Sequence, residues 1–366
     1  MRTETRGIHD GSGNLVKKTK QLFQTIGGIE RLISQIEDPD TLALTTTNTY
    51  YDSGQLKQTL RPDGSWEYYE YNTNGCPTTI YSTYANEGPT TDADLCRIAT
   101  NSYTPITGTG DNGTVRPTHP RQVIEKIQGY GISRRFYVIL TGEEKEIRCQ
   151  TYQANWDDTN NVVTITKTYT SGAFAGKVKS IKRPDGTMDF YEYSDNQAGT
   201  ERTTTVCSGE PNGQYTAIQD GTVTVTVVGT AGEPLSRTVT DYVSEVDIEA
   251  VSYTNFDAFK RPGLITYLDG TQEQMTYACC GLDSKTDRQG VKTEYIYDDL
   301  GRLYSTRRTL VYHLTTFDAA GRVLSTTRQG TNGQGVTLSL TGERGALNLF
   351  SFCKNDSLNN WDVMGL

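Results

Sequence analysis

Three Asp-Gly pairs, Asp63-Gly64, Asp185-Gly186 and Asp269-Gly270, are the most regular acidic features of the sequence. Carboxylates on tight loops are the hard oxygen ligands that calcium prefers. No Asp-x-[Asp/Asn]-x-[Asp/Asn]-Gly loop accompanies them, and a turn needs the same residues for its own geometry. Asp157-Asp158-Thr159-Asn160-Asn161 likewise reads most simply as a loop between strands. The three histidines, His9, His119 and His313, lie far apart in sequence. No Gly-x-Ser-x-Gly or His-Glu-x-x-His motif places a nucleophile or a metal beside any of them. The seven cysteines are Cys76, Cys96, Cys149, Cys207, Cys279, Cys280 and Cys353. Their number is odd and no Cys-x-x-Cys occurs, so a structural zinc site is not expected. The expectation is scattered, mostly buried thiols, as in a reducing compartment, with no cofactor and no metal.

The elements that would carry these residues are strands. Of 366 residues only 34% are hydrophobic, and the mean hydropathy is −0.58. Tyr is frequent, at 23 residues, and Gly at 36, whereas Met and Phe number 4 and 9. Tyr and Thr suit a pleated, half-wet surface, and Gly suits turns of positive φ. An all-β architecture follows. The net charge of −9 excludes a nucleic-acid partner held by counterion release. No stretch has the length of a membrane-spanning helix, and Met1 to Val16 is too polar for a signal peptide.

The sequence repeats. Tyr277, Tyr297 and Phe317 are 20 residues apart. Tyr297-Asp298-Asp299-Leu300-Gly301-Arg302-Leu303 is the clearest copy, and Phe317-Asp318-Ala319-Ala320-Gly321-Arg322-Val323 matches it. Phe256-Asp257-Ala258-Phe259-Lys260-Arg261 fits with Lys260 in the glycine slot. Tyr51-Asp52-Ser53-Gly54 and Tyr71-Asn72-Thr73-Asn74-Gly75 are earlier copies. A second turn, Arg-Pro-Asp-Gly, stands at 61–64 and 183–186, and the blocks 56–72 and 178–194 are near-duplicates. Two turns per 20 residues leave two runs of strand length, so each period is one hairpin. Tyr69 with Tyr71 and Tyr191 with Tyr193 alternate with Glu70 and Glu192. The tyrosines therefore share a face, and stacked hairpins would bring them into ladders.

The Tyr-Asp-x-x-Gly-Arg-Leu pattern at this spacing resembles the YD repeat of the RHS family, shared by bacterial polymorphic toxins, the C components of insecticidal toxin complexes and animal teneurins. Asn348-Leu349-Phe350-Ser351-Phe352, with Asn355, Asn359, Asp362, Gly365 and Leu366, resembles the end of the RHS-associated core. Ser357 and Val363 replace two prolines of that pattern, and the stretch from Arg328 to Ala346 is shorter than the family's. The resemblance implies a spiralling antiparallel β-sheet of hairpin repeats forming a partial shell. It divides the chain into YD-repeat segments at 1–75, 169–202 and 253–345, degenerate β segments at 76–168 and 203–252, and a core-like motif at 346–366.

The resemblance also implies function. The chain would be a structural shell segment that encapsulates or displays a C-terminal toxin or effector, secreted or attached to the cell surface. Its partners would be that toxin or other shell segments, with self-association through open sheet edges. Asp362 would help cleave the chain after Leu366, two carboxylates sharing a proton to activate water; the alternative is a turn-forming Asp whose cleavage role is lost. With Leu366 last, the chain would stop at that cleavage point or carry no cargo. A third reading is a surface module whose tyrosines stack on glycans or meet protein partners.

The least repetitive stretches leave alternatives open. Leu22, Phe23, Ile26, Ile29, Leu32, Ile33 and Ile36 have partly helical spacing broken by Gly27-Gly28, giving a short helix or a buried strand pair. Ile106–Pro120 reads as a loop or linker, and Val162–Tyr169 and Thr222–Val228 as strands.

Overall fold

Runs rich in Thr, Val, Ile and Tyr, cut at short intervals by Gly, Asp and Asn, have no alternative to strands of the length a turn-to-turn interval allows. The computed structural model describes residues 1–9, 15–40, 42–85, 87–279, 281–318 and 321–339. Every regular element among them is a strand, 26 in all, and no helix among them is long and apolar enough to cross a membrane. The chain forms two units. The first comprises Met1–Gly7 and Lys18–Met275, and the second includes the strands that follow Thr276.

In the first unit each strand pairs antiparallel with the next in sequence. The path runs without a crossover from Leu15–Ile26 to Gln272–Ala278. The second unit repeats this order from Gly281–Thr286 to Gly335–Ser339. Nearest-neighbour pairing of this kind is what hairpin repeats dictate.

The stretch with partly helical spacing is the strand pair Leu15–Ile26 and Ile29–Glu37, not a helix. Gly27 and Gly28 turn the chain between them at φ +60° and +78°. A Cβ on Gly27 would lie 2.9 Å from the Ser53 carbonyl, so glycine is also required by close approach. The pair is not buried: Ile29 is 55% exposed, and residues 31–37 of its strand are half-buried.

Buried apolar residues gather where irregular segments fold over strands. Trp66, Cys96 and Ile98 form one cluster with Leu60, Tyr68, Tyr81 and Ala93 around it. The Trp66 indole donates to the Glu87 carbonyl at 2.8 Å. Phe136, Val138 and Ile147 form another, capped by Ile106 and Trp156 from loops. The stretch 106–120 is thus a covering loop rather than a linker.

A buried ion pair holds that loop. The Arg121 and Asp111 side chains are 1% and 0% exposed. Arg121 Nε donates to Asp111 Oδ2. Its Nη1 donates to the His119 and Arg116 carbonyls at 2.7 and 3.1 Å, and its Nη2 to the Val115 carbonyl at 2.7 Å. Asp111 also accepts from the Gly113 and Ile139 N–H groups at 2.8 and 3.3 Å. Burial alone would raise the Asp111 pKa; the guanidinium and the two N–H groups outweigh it and lower it. Arg121→Met leaves the Asp111 carboxylate buried and unpaired, and should cost about 3–5 kcal/mol in denaturant unfolding. Adding Asp111→Leu should recover most of that loss; a single variant as stable as the parent would contradict this role.

Candidate functional site

The chemistry-bearing residues of the repeat sit in its turns. In the Arg-Pro-Asp-Gly turns, Asp63 Oδ1 accepts from Ser65 N and Oγ at 2.9 and 2.7 Å. Asp185 Oδ1 does the same with Thr187 at 2.9 and 2.7 Å, and Asp269 with Thr271 at 3.0 and 2.6 Å. The residue after each glycine is therefore Ser or Thr for a reason: it supplies two donors to one oxygen. The calcium candidates are turn-builders in this structure. Among the described residues, no three or more His, Cys, Asp or Glu side chains are grouped to hold a metal ion.

The other turn uses its aspartate more fully. Asp298 Oδ1 accepts from Leu300 N and Arg302 N at 3.0 and 2.9 Å, and Oδ2 from Arg302 Nε at 2.6 Å. Asp318 takes Arg322 N and Nε at 2.8 and 2.6 Å. Asp257 takes Arg261 N and Nε at 2.9 and 2.7 Å. This explains the Asp-to-Arg spacing of four: one carboxylate closes the turn and neutralises the arginine that follows it. For Asp298, partial burial works against ionisation, but the Arg302 N–H and guanidinium prevail and the pKa falls. Lys260, in the glycine slot, adopts φ +63° and reaches Glu233 at 3.3 Å. Arg302 also spans to the next repeat, with its guanidinium 4.7 Å from the Phe317 ring centre and Nη1 donating to the Asp318 carbonyl at 3.2 Å.

Tyrosines link the strands. The Tyr51 hydroxyl donates to the Tyr69 carbonyl at 2.8 Å, reaching across the intervening strand Leu56–Leu60. Tyr169 reaches the Tyr191 carbonyl at 2.8 Å in the duplicate block. Tyr71 and Tyr297 donate to the Leu56 and Leu282 carbonyls of the strands beside them, at 2.8 and 3.0 Å. Rings meet as the alternation requires: Tyr51 with Tyr71 edge-on at 6.1 Å, Tyr69 with Tyr71 stacked at 6.4 Å, Tyr169 with Tyr193 edge-on at 6.2 Å. Tyr169 is absent from the repeat copies named above. Its turn is longer and carries Thr170 where Asp52 stands after Tyr51; Tyr169-Thr170-Ser171-Gly172 against Tyr51-Asp52-Ser53-Gly54 was the available signal.

The other candidates are not assembled into a catalytic group. His119 has Nδ1 2.8 Å from the Pro120 carbonyl and its ring edge-on to Tyr137 at 4.8 Å. His313 faces Thr306 and Arg328 across its ladders. Cys76 and Cys96 are buried, Cys149 and Cys207 half-buried, and Cys279 exposed, none in a disulfide. Burial pushes the Cys96, Cys149 and Cys207 thiols up, away from nucleophilic thiolate. A cleft of about 270 Å³ is lined by Arg116, Leu140, Glu143, Glu144 and Thr166 among others, but Arg116 is paired with Glu144 across it. Asp362, with Cys280 and Cys353, lies outside the described residues.

No family model and no curated protein matches the chain. Solved structures with similarity include the Tc holotoxin pore of Photorhabdus luminescens, at 12% identity and TM-score 0.42, covering 92% of this chain and 18% of that one. A TcdB2–TccC3 crystal structure follows at 13% and 0.33, covering 90% and 22%. A porin-like protein from Bacteroides uniformis has 17% and 0.28, covering 62% and 91%. The chain thus spans about a fifth of the toxin chains it matches. At these scores the likenesses carry no argument about function.

The half-buried tyrosines make a pH prediction. Burial first, then the hydrogen bond to Glu67, pushes the Tyr69 hydroxyl up to about 12. Burial also raises Tyr50, Tyr71 and Tyr193 above their usual 10.0. A folded pKa above the unfolded one means that the neutral phenols stabilise the fold fully below pH 10.0 and cease to as pH rises through about 12. Denaturant midpoints should fall across that interval, in step with tyrosinate absorbance. A midpoint unchanged while tyrosinate forms would contradict stabilisation by the neutral phenols.

Proposed function

We propose that the chain is a wall segment of an RHS-type shell, part of a secreted or surface-associated toxin system that encloses or displays a C-terminal toxic polypeptide. The reading rests on one observation above all. The repeated residues that look chemical, Asp257, Asp298, Asp318 and the tyrosines at 51, 71, 169 and 297, are engaged in closing turns and tying strands. A sequence that commits its recurrent polar residues to sheet construction is selected for extent of sheet. The resemblance of the repeat and of the terminal motif supplies the rest of the proposal, including the division into segments at 1–75, 76–168, 169–202, 203–252, 253–345 and 346–366. A glycan-binding role has less support, because those same tyrosines are taken up by packing.

The alternative is self-cleavage after Leu366 by Asp362, supported by the resemblance of residues 348–366 to the family's terminal motif. One fusion separates the readings. A protease-sensitive reporter placed after Leu366 should stay covalently attached and resist added protease better than the free reporter. Cleavage as fast as that of the free reporter would contradict enclosure. Release of reporter without protease, abolished by Asp362→Ala, would establish the cleavage reading instead.

A further inference from the structure

One turn in the first unit differs from the Asp-Gly turns of the repeat. The turns at 61–65, 183–187 and 267–271 present Asp, Gly and Ser or Thr. The turn between the strands Pro234–Asp241 and Asp247–Thr254 instead reads Tyr242-Val243-Ser244-Glu245-Val246. Its polar groups are closed among themselves. Asp241 N donates to the Val246 carbonyl at 2.9 Å, and Ser244 N and Oγ both donate to Asp241 Oδ1 at 2.7 Å. Tyr242 N donates to the Gly221 carbonyl at 2.9 Å, which pins the turn to the end of the strand Ile218–Gly229. Outward stand Val243, 66% exposed, and Val246, 61% exposed, with Tyr242 and Ile248 also exposed, interleaved with the exposed acids Glu245, Asp247 and Glu249. Exposed apolar side chains on a fixed turn offer a partner surface that can be buried on contact.

Acidic residues stand beside it. Glu210 and Asp220 are Cα partners across the ladder of the strands Glu201–Pro211 and Ile218–Gly229. Like charges directly opposite each other are unfavourable. Both are exposed, and among the described residues neither they nor Glu245 has an ion-pair partner. Asp220 adjoins Gly221, which holds Tyr242. In an antiparallel meander the turns at 212–217 and 242–246 lie on one edge, about 10 Å apart at the usual strand spacing. On the 212–217 turn, Lys182 Nζ sits 4.6 Å from the Tyr215 ring centre, so this edge already seats one cation on an aromatic face.

We infer that this rim docks a cationic, apolar polypeptide segment of a partner. A Lys or Arg lies between Glu210 and Asp220, relieving their repulsion, while an aliphatic neighbour packs on Tyr242, Val243 and Val246. A second copy of this chain is disfavoured as the occupant, since it would bring its own −9 charge to the acidic rim. The inference is independent of the shell reading.

The probe is a short synthetic peptide of alternating Lys and Leu, titrated against the full chain by calorimetry, with an alternating Glu and Leu peptide as control. Binding of the Lys peptide alone is expected. The exposed-residue variant Val243→Ser/Val246→Ser should weaken it about tenfold, as loss of a central anchor does. Asp220→Asn, which leaves the turn intact, should weaken it as well and reduce its salt dependence. Equal binding by parent and both variants would show attraction by net charge alone and overturn the proposal. Binding of the Glu peptide, or no binding of the Lys peptide, would overturn it too.

Discussion

A β-hairpin in water cannot bury its own apolar face, and its outer backbone groups stay unpaired. Everything described in this molecule answers that constraint. Within each unit, backbone ladders join each strand to the next, and tyrosines carry the tie one step further. Tyr51 and Tyr169 each reach over an intervening strand to the carbonyl of the strand beyond. Such a bond makes one hairpin's position depend on its neighbour. A neutral hydrogen bond contributes roughly 1 kcal/mol net, and an aromatic cross-strand pair roughly 0.2–1 kcal/mol. Repetition, not any single contact, gives the sheet its stability.

Turn chemistry is the second half of that answer. The carboxylate of Asp298 or Asp318 satisfies backbone N–H groups of its own turn and the arginine four residues on. Arg302 then lies against Phe317, one period later. The same two residues that make the repeat visible in the sequence thus fix its turn and connect it to the next copy. This accounts for Asp and Arg at that spacing without any catalytic duty.

Period and turn positions were legible because they rest on local rules: Gly for left-handed backbone, Asp for its own downstream N–H, alternation for the face. The near-duplicate blocks carry matching ion pairs, Arg61 with Glu67 and Arg183 with Asp189. Long-range placement was not legible. Nothing local shows that Asp111 and Arg121 would be buried together, or that Ile106 and Trp156 would cover Phe136. The helical spacing of Leu22 to Ile36 left a helix and a strand pair both open; two glycines and abundant β-branched residues decided for strands. Of the site residues, the turn aspartates and their bond to a downstream N–H could be read, whereas their arginine, serine and threonine side-chain partners came from the structure; Asp362 stands outside the described residues, so its role rests on the terminal motif alone.

Mutual dependence of the hairpins is tested most directly by excision. A peptide comprising Val178–Asp195, which holds one complete turn and both its strands, is compared by circular dichroism and amide exchange with the same residues in the full chain. The account predicts an unstructured, fully exchanging peptide and protected amides in the full chain. A peptide that folds by itself into the same hairpin would contradict it.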